Sequence, residues 1–370
     1  MMPPMLPEPL TPLARKLAAR IAAAGPIPVH DYIEACLYDA EHGYYRKRSG
    51  IGRGGDFITA PEISQVFGEL TGLWAGESWR LMGEPEALHL VELGPGRGVL
   101  MADALRALRV CPGFLDRSTV HLVESSFALR GAQKAALAGA ACPIYWHEGI
   151  DGVPPGPTIV IANEFLDCLP VQQFHFNAGE RVWRERLVGL KNGQFAFEPG
   201  EPVEAIHMLG PLDPEDGAIF EQRAAIPSLL NAFAKRAGVA LFAGLFIDYG
   251  YTKPSLGDTV QAVRRHAFAS VFDAPGETDI TAHVDFGAFG AEARALGLRA
   301  YGPMPMGEWL LRLGLEARFQ QLIRNVSEDK ASEVRRRVAR LVDPTQMGVL
   351  FKVMLLTGGG LPALPPFPEA

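Results

Sequence analysis

From residue 88 onward the sequence predicts an α/β fold built on a mostly parallel sheet, and three observations carry that prediction. Short, nearly all-apolar strand segments alternate with amphipathic helical segments, the pattern of strands covered on both faces. The first strand runs directly into Gly94-Pro95-Gly96-Arg97-Gly98, where glycines let the backbone bend sharply into a helix. The 370 residues, 48% hydrophobic and 21% charged, have an ordinary globular balance. That length suffices for one large domain with an insertion, or for two unequal domains.

Taken in order, Thr11-Pro12 has the form of a helix cap and first-turn proline. Leu13, Leu17 and Ile21 share one face before Gly25-Pro26 stops the helix. A second helix is expected near 29–40, with Ile33, Cys36 and Leu37 inward. Residues 50–61, GIGRGGDFITAP, read as a glycine-rich loop. Thr59 and Glu62 then have capping-box spacing ahead of a helix carrying Ile63, Val66, Phe67, Leu70 and Trp74.

LHLVEL (88–93) is the first strand, and 97–110 a helix burying Leu100, Met101, Ala104, Leu105 and Leu108. Strand 120–124, a helix near 126–138, and strands 144–147 and 158–163 follow. Segments 171–176, 181–190 and 194–198 look antiparallel, with Asn192-Gly193 as a tight hairpin turn. A helix is expected near 217–237, and the parallel pattern should resume at 241–250, at DTVQAV (258–263) and at LRAYGP (298–303). Helices near 306–340 precede a last strand, 349–356. This divides the chain into an N-terminal helical region (1–85), a Rossmann-like core (86–170 and 238–370) and a β-rich and helical insertion (171–237). The insertion is a candidate surface for substrate or partner.

A net charge of -7 gives no global electrostatic reason to bind nucleic acid or an anionic membrane. Cys36, Cys111, Cys142 and Cys168 lack CxxC or CxxH spacing, which argues against a disulfide framework or a zinc site. No apolar run reaches the roughly 20 residues that cross a bilayer. Met1–Leu10 lacks the basic residues and apolar stretch of an export signal. The chain reads as cytoplasmic, without a metal, and its oligomeric state stays open, a homo-oligomer included.

Glu92-Leu93-Gly94-Pro95-Gly96-Arg97-Gly98 is the strongest motif. It falls in the crevice beyond the strand's C-terminal end, where open α/β sheets bind ligands. Its glycines, Gly94, Gly96 and Gly98, follow GxGxG rather than the GxGxxG of dinucleotide enzymes, with an acid, Glu92, two residues ahead. That resembles methyltransferase motif I, which passes under the amino-acid end of S-adenosylmethionine. The plainer alternative is a tight strand-helix turn. Glu124 ends the second strand, where two carboxylate oxygens can accept both ribose hydroxyls; the alternative is an exposed strand-end acid. Glu148 is a candidate for the adenine amine.

The fourth strand ends in Asn163-Glu164-Phe165-Leu166-Asp167, beside the reactive methyl in a class I methyltransferase. Carboxylates there could pair with a guanidinium and aim its nitrogen, while a helix N-terminus favouring acids would explain Asp167 alone. Asp248 ends the next parallel strand and is assigned to the same catalytic group. His283 reads as a base or as a structural histidine, and the structural reading is the commoner. A metal set of Asp279, His283 and Asp285 is disfavoured for want of cysteines or a second histidine. Arg264-Arg265-His266 reads as a solvated strand end or a carboxylate contact.

Five segments then carry a specific resemblance: GDFITAPEISQVFGE (55–69), VELGPGRG (91–98), ANEFLDCLPVQQF (162–174), FIDYGY (246–251) and PGETDITAHVDF (275–286). Together they resemble the MidA family, methyltransferases needed for assembly of mitochondrial respiratory complex I, and their bacterial relatives. The resemblance implies a class I methyltransferase fold and S-adenosylmethionine-dependent protein-arginine methylation, with the mitochondrial member acting on a complex I subunit. It assigns Gly94, Gly96, Gly98 and Glu124 to the cofactor and Asn163–Asp167 to the methyl-acceptor side. It also lays the 55–62 loop, Thr59 included, over the cofactor. A methyltransferase for a small molecule or another side chain, and a non-catalytic assembly chaperone, stand as alternatives. The glycine spacing disfavours a dinucleotide oxidoreductase.

Overall fold

The computed structural model describes residues 10–46, 59–203 and 213–368. Its central sheet comprises β1 (Leu88–Leu93), β2 (Ser118–Val123), β3 (Ile144–His147), β4 (Thr158–Asn163), β5 (Phe242–Tyr251), β6 (Arg299–Pro305) and β7 (Phe351–Gly358). The order is β3-β2-β1-β4-β5-β7-β6, with the two-residue strand Val284–Asp285 pairing in parallel with the C-terminal end of β5. Neighbours from β3 to β5 pair in parallel, whereas β7 runs antiparallel to both β5 and β6. All six residues of β4 are buried, as a strand covered on both faces requires.

Period-two alternation sorts the strand side chains. Leu88, Leu90, Ile159, Ile161, Leu245 and Ile247 face one core. Val91, Leu93, Val160, Ala162, Phe242 and Phe246 face the other. Helices α3 (Gln65–Leu81) and α4 (Val99–Leu108) cover the first face, and α6 (Ile226–Ala237) and α7 (Phe286–Ala295) the second. Helix α5 (Phe127–Ala136) follows β2. Each fully buried large apolar side chain contributes about 1.5–3 kcal/mol, so this patterning dominates the choice of fold.

At the N-terminus, α1 (Pro12–Ala24) starts on Thr11, whose hydroxyl accepts from the Ala14 N–H at 3.0 Å. Helix α2 (Val29–Tyr38) follows. Between them, Ile27–Pro28 pairs with Val182–Lys191, which pairs in turn with Gln172–Asn177 and Gln194–Val203. The N-terminal helices and the inserted strands thus share a sheet and a third apolar core. The hairpin turn falls on Asn192 and Gly193, with φ of 53° and 76°, as a two-residue turn with left-handed central residues demands.

Four expectations fail. LRAYGP does not continue the parallel pattern: β6 pairs antiparallel with β7, which is itself antiparallel to β5. DTVQAV does not join the central sheet: Gln261–Arg264 pairs antiparallel with Ala267–Ala269 and Asp279–Thr281. Arg265 and His266, both left-handed, turn the chain back on itself there. The expected helix from 217 begins at Ile226, because Ile219–Gln222 pairs with Gln172–Asn177 and sets Phe220 against Phe174. The helix expected from Thr59 is broken at Ser64, which is extended and caps α3 through a hydroxyl accepting from the Val66 N–H. Thr59 precedes only the turn Ala60–Ile63 and makes no side-chain cap. Of the glycine-rich loop, residues 50–58 lie outside the described residues.

Candidate active site

A cavity of about 700 Å³ opens beyond the C-terminal ends of β1, β2 and β4, where an open α/β sheet places its ligand. Gly94, Gly96 and Gly98 all take left-handed φ, at 62°, 52° and 81°. A Cβ on Gly94 would stand 2.9 Å from the Phe165 ring, so both backbone and space exclude a side chain there. Buried Gln133 of α5 braces the loop. Its Nε2 donates to the Gly96 carbonyl at 2.7 Å and to Glu124 Oε2 at 3.2 Å, while its Oε1 accepts from Trp146 Nε1 at 2.8 Å.

Glu92 and Glu124 line this half of the cavity. Burial, then the nearby Glu124 charge, pushes the Glu92 carboxyl up to about 8. Glu92 Oε2 has no hydrogen-bond partner among the described residues. Burial also raises Glu124, against the Ser126 N–H and the Gln133 amide. Each Glu124 oxygen accepts one such bond, from Ser126 N at 2.6 Å and from Gln133, which leaves lone pairs for a ligand. Thr59 and the exposed Glu148 also line the cavity.

Beyond β4 lies a second group. Asn163, Glu164 and Asp167 all line the cavity, with Tyr38, Tyr45, Cys168 and Tyr249. Glu164 is left-handed, with φ 49°, an uncommon backbone for a non-glycine residue and one that clusters at functional sites. Its Oε1 accepts from the Ala60 N–H and from Asn163 Nδ2, each at 3.1 Å. Burial, reinforced by Asp167, pushes the Glu164 carboxyl up to about 7. Burial raises Asp167 as well, opposed by the Tyr249 hydroxyl and Cys168 thiol. Asn163 Oδ1 is buried and has no partner among the described residues.

The structure separates two residues from the expected group. Gly98 does not line the cavity; it turns the loop into α4, and a Cβ there would meet the Gln133 backbone at 3.2 Å. Asp248, expected among the catalytic residues, lies behind the wall. Its carboxylate accepts from the N–H groups of Leu166, Asp167 and Tyr249 at 2.9–3.1 Å. It therefore holds the Leu166–Asp167 backbone. His283 lines the cavity edge-on to Tyr249, 5.4 Å between centroids, and burial lowers its pKa. Arg264 pairs with Glu277 at 3.6 Å. Among the described residues, the triad whose ligating atoms come within 4.8 Å of one another is His30, Asp31 and Glu34, not Asp279, His283 and Asp285.

Sequence reasoning missed Gln133, Tyr38 and Tyr45. The Tyr38 hydroxyl donates to the Cys168 carbonyl at 3.0 Å, and the Tyr45 hydroxyl to Asp279 at 3.1 Å. Only tertiary packing brings the N-terminal region there. For Gln133 the available signal was a polar residue on the inward face of an otherwise small-residue helix.

The strand order, the antiparallel seventh strand and an acid-led GxGxG loop under an open cavity define a class I methyltransferase. The chain belongs to the family described as "Putative S-adenosyl-L-methionine-dependent methyltransferase", whose model matches residues 70–304. It is 34% identical over 385 residues to the Drosophila melanogaster protein named "Protein arginine methyltransferase NDUFAF7 homolog, mitochondrial", covering 95% of this chain and 86% of that one. The human "Protein arginine methyltransferase NDUFAF7, mitochondrial" is 33% identical, covering 94% and 84%. A Burkholderia thailandensis crystal structure bound to S-adenosyl-homocysteine superposes with a TM-score of 0.80 at 27% identity, covering 95% of this chain and 93% of that one. No helix among the described residues is long and apolar enough to cross a membrane.

The residues fit S-adenosylmethionine. Glu92 Oε2, without a partner among the described residues, is a buried oxygen awaiting a donor, and a cationic cofactor carrying an ammonium, two ribose hydroxyls and an adenine amine offers one. Glu92 and the Gly94–Gly96 turn would hold its amino-acid end and Glu124 its ribose. When bound, it supplies an electrophilic methyl on a sulfonium.

Proposed function

We propose that this methyltransferase acts on arginine side chains of a protein, with Glu164 and Asp167 binding the guanidinium. One observation carries the reading: two buried-side carboxylates end β4 inside an acid-rich cavity. A planar guanidinium matches carboxylates in a fixed fork. The names borne by the curated relatives support the same acceptor. Asn163 Oδ1 offers a further acceptor to a guanidinium N–H. As the nitrogen gains the methyl it sheds a proton, and Glu164, poised near neutrality, takes it. Asp248 keeps Asp167 in place.

The proposal extends to partners. The 171–237 segment supplies a surface for the protein substrate, and a respiratory complex I subunit is the acceptor that the MidA resemblance favours. Four free cysteines fit a reducing cytoplasm. The test combines Glu164→Gln with Asp167→Asn. The double variant should still bind S-adenosylhomocysteine yet lose protein labelling by at least about 100-fold. It should also fail to complement a deletion strain, whereas a non-catalytic chaperone would complement. Labelling at the wild-type rate would sink the guanidinium clamp.

A further inference from the structure

We propose that Arg97 binds the α-carboxylate of S-adenosylmethionine, with Glu62 steering its guanidinium over the cavity. Charge balance points there first. Eight carboxylates line the cavity: Glu62, Glu92, Glu124, Glu148, Asp151, Glu164, Asp167 and Asp279. Among the described lining residues, Arg97 is the one lysine or arginine. The acids suit the sulfonium and the ammonium of the cofactor. Its carboxylate, in contrast, must find a positive group or be repelled.

Position agrees with charge. Arg97 lies inside the Gly94–Gly98 turn, at the mouth of β1, where the amino-acid end of the cofactor belongs. Its side chain is 50% exposed, so the guanidinium is not committed to the core. Glu62, whose side chain is only 8% exposed, stands 3.7 Å from Arg97 Nη1. That separation is an ion pair but too long for a hydrogen bond. The pair aims Arg97 without using up its five N–H donors. The first turn of α4 offers N–H groups to the same carboxylate, so losing Arg97 weakens binding without abolishing it. With the carboxylate at Arg97 and the ribose at Glu124, the sulfonium between them faces the Asn163–Asp167 segment.

Calorimetry with S-adenosylmethionine and its decarboxylated analogue, on wild type, Arg97→Gln and Arg97→Lys, tests this without any acceptor. Wild type should bind the decarboxylated analogue about 10- to 100-fold more weakly than S-adenosylmethionine. Arg97→Gln should weaken S-adenosylmethionine by a similar factor and leave the analogue within about twofold, with Arg97→Lys between. The wild-type comparison needs no variant to fold. Equal wild-type affinity for both ligands would overturn the proposal. So would an Arg97→Gln loss shared equally by both ligands, the mark of a structural brace, or no loss for S-adenosylmethionine.

Discussion

Replacing Gln133 with methionine keeps the side-chain volume and removes three hydrogen bonds at once. They run to the Gly96 carbonyl at 2.7 Å, Glu124 at 3.2 Å and Trp146 Nε1 at 2.8 Å. Gln133 is fully buried, so water cannot stand in for it. Leaving the half-buried Trp146 N–H without an acceptor costs about 1–2 kcal/mol, and removing a donor from Glu124 about the same again. The Gly96 carbonyl borders the cavity and regains a water partner, so its loss adds little. The total is about 2–4 kcal/mol of stability. The same side chain braces both halves of the cofactor site, so S-adenosylhomocysteine affinity should fall about 10-fold, or about 1.4 kcal/mol. Urea denaturation read with its m-value, and calorimetry on the same preparations, measure both. An unchanged midpoint with a Kd within twofold of wild type would refute this account of Gln133.

Glu164 titrates near 7 in the free enzyme, and only its ionised form clamps a guanidinium, so kcat/KM for the acceptor should rise through about pH 7. Glu164→Gln should remove that limb, and a limb persisting in the variant would contradict the assignment. His89, His121 and His147 form a hydrogen-bonded ladder at 2.9 Å per step across β1, β2 and β3. Burial lowers all three, His121 to about 3. Unfolded histidine titrates near 6.5, so the unfolded state binds more protons below that pH. Stability should therefore fall as pH drops from about 6.5 towards 3. His121→Leu should flatten this fall, measured as urea midpoints at pH 7.5 and 5; parallel slopes would count against it. Asp248→Asn should lower kcat at least about 10-fold while leaving S-adenosylhomocysteine affinity within about twofold, because it disturbs the Leu166–Asp167 and Tyr249 backbone on the acceptor side rather than the glycine loop. A loss confined to cofactor binding would reverse that assignment.

Much of this site was legible in the sequence because its elements are local. β3 and β4 fall on the residues their apolar runs mark, 144–147 and 158–163. Glycines at 94 and 96 and the acids at 92, 124, 164 and 167 emerge at the C-terminal ends of β1, β2 and β4. What was not legible depends on contacts between distant segments. Asp248 follows an apolar strand like the other acids, yet three N–H groups, two of them some 80 residues earlier, claim its carboxylate. DTVQAV has a strand's composition, and only the turn at Arg265-His266 sends it into a separate sheet. Tyr38 and Tyr45 enter the cavity because Ile27–Pro28 is stitched to the inserted strands, a pairing that no local pattern announces.

The central claim is met most directly by labelling. Purified enzyme would be incubated with tritium-labelled S-adenosylmethionine and a lysate of a strain lacking it, and the protein fraction hydrolysed to amino acids. The account predicts that the label elutes as methylated arginine, and that Glu164→Gln with Asp167→Asn abolishes it. Label recovered in small molecules, or on another side chain, would contradict the arginine reading and leave the cofactor site standing alone.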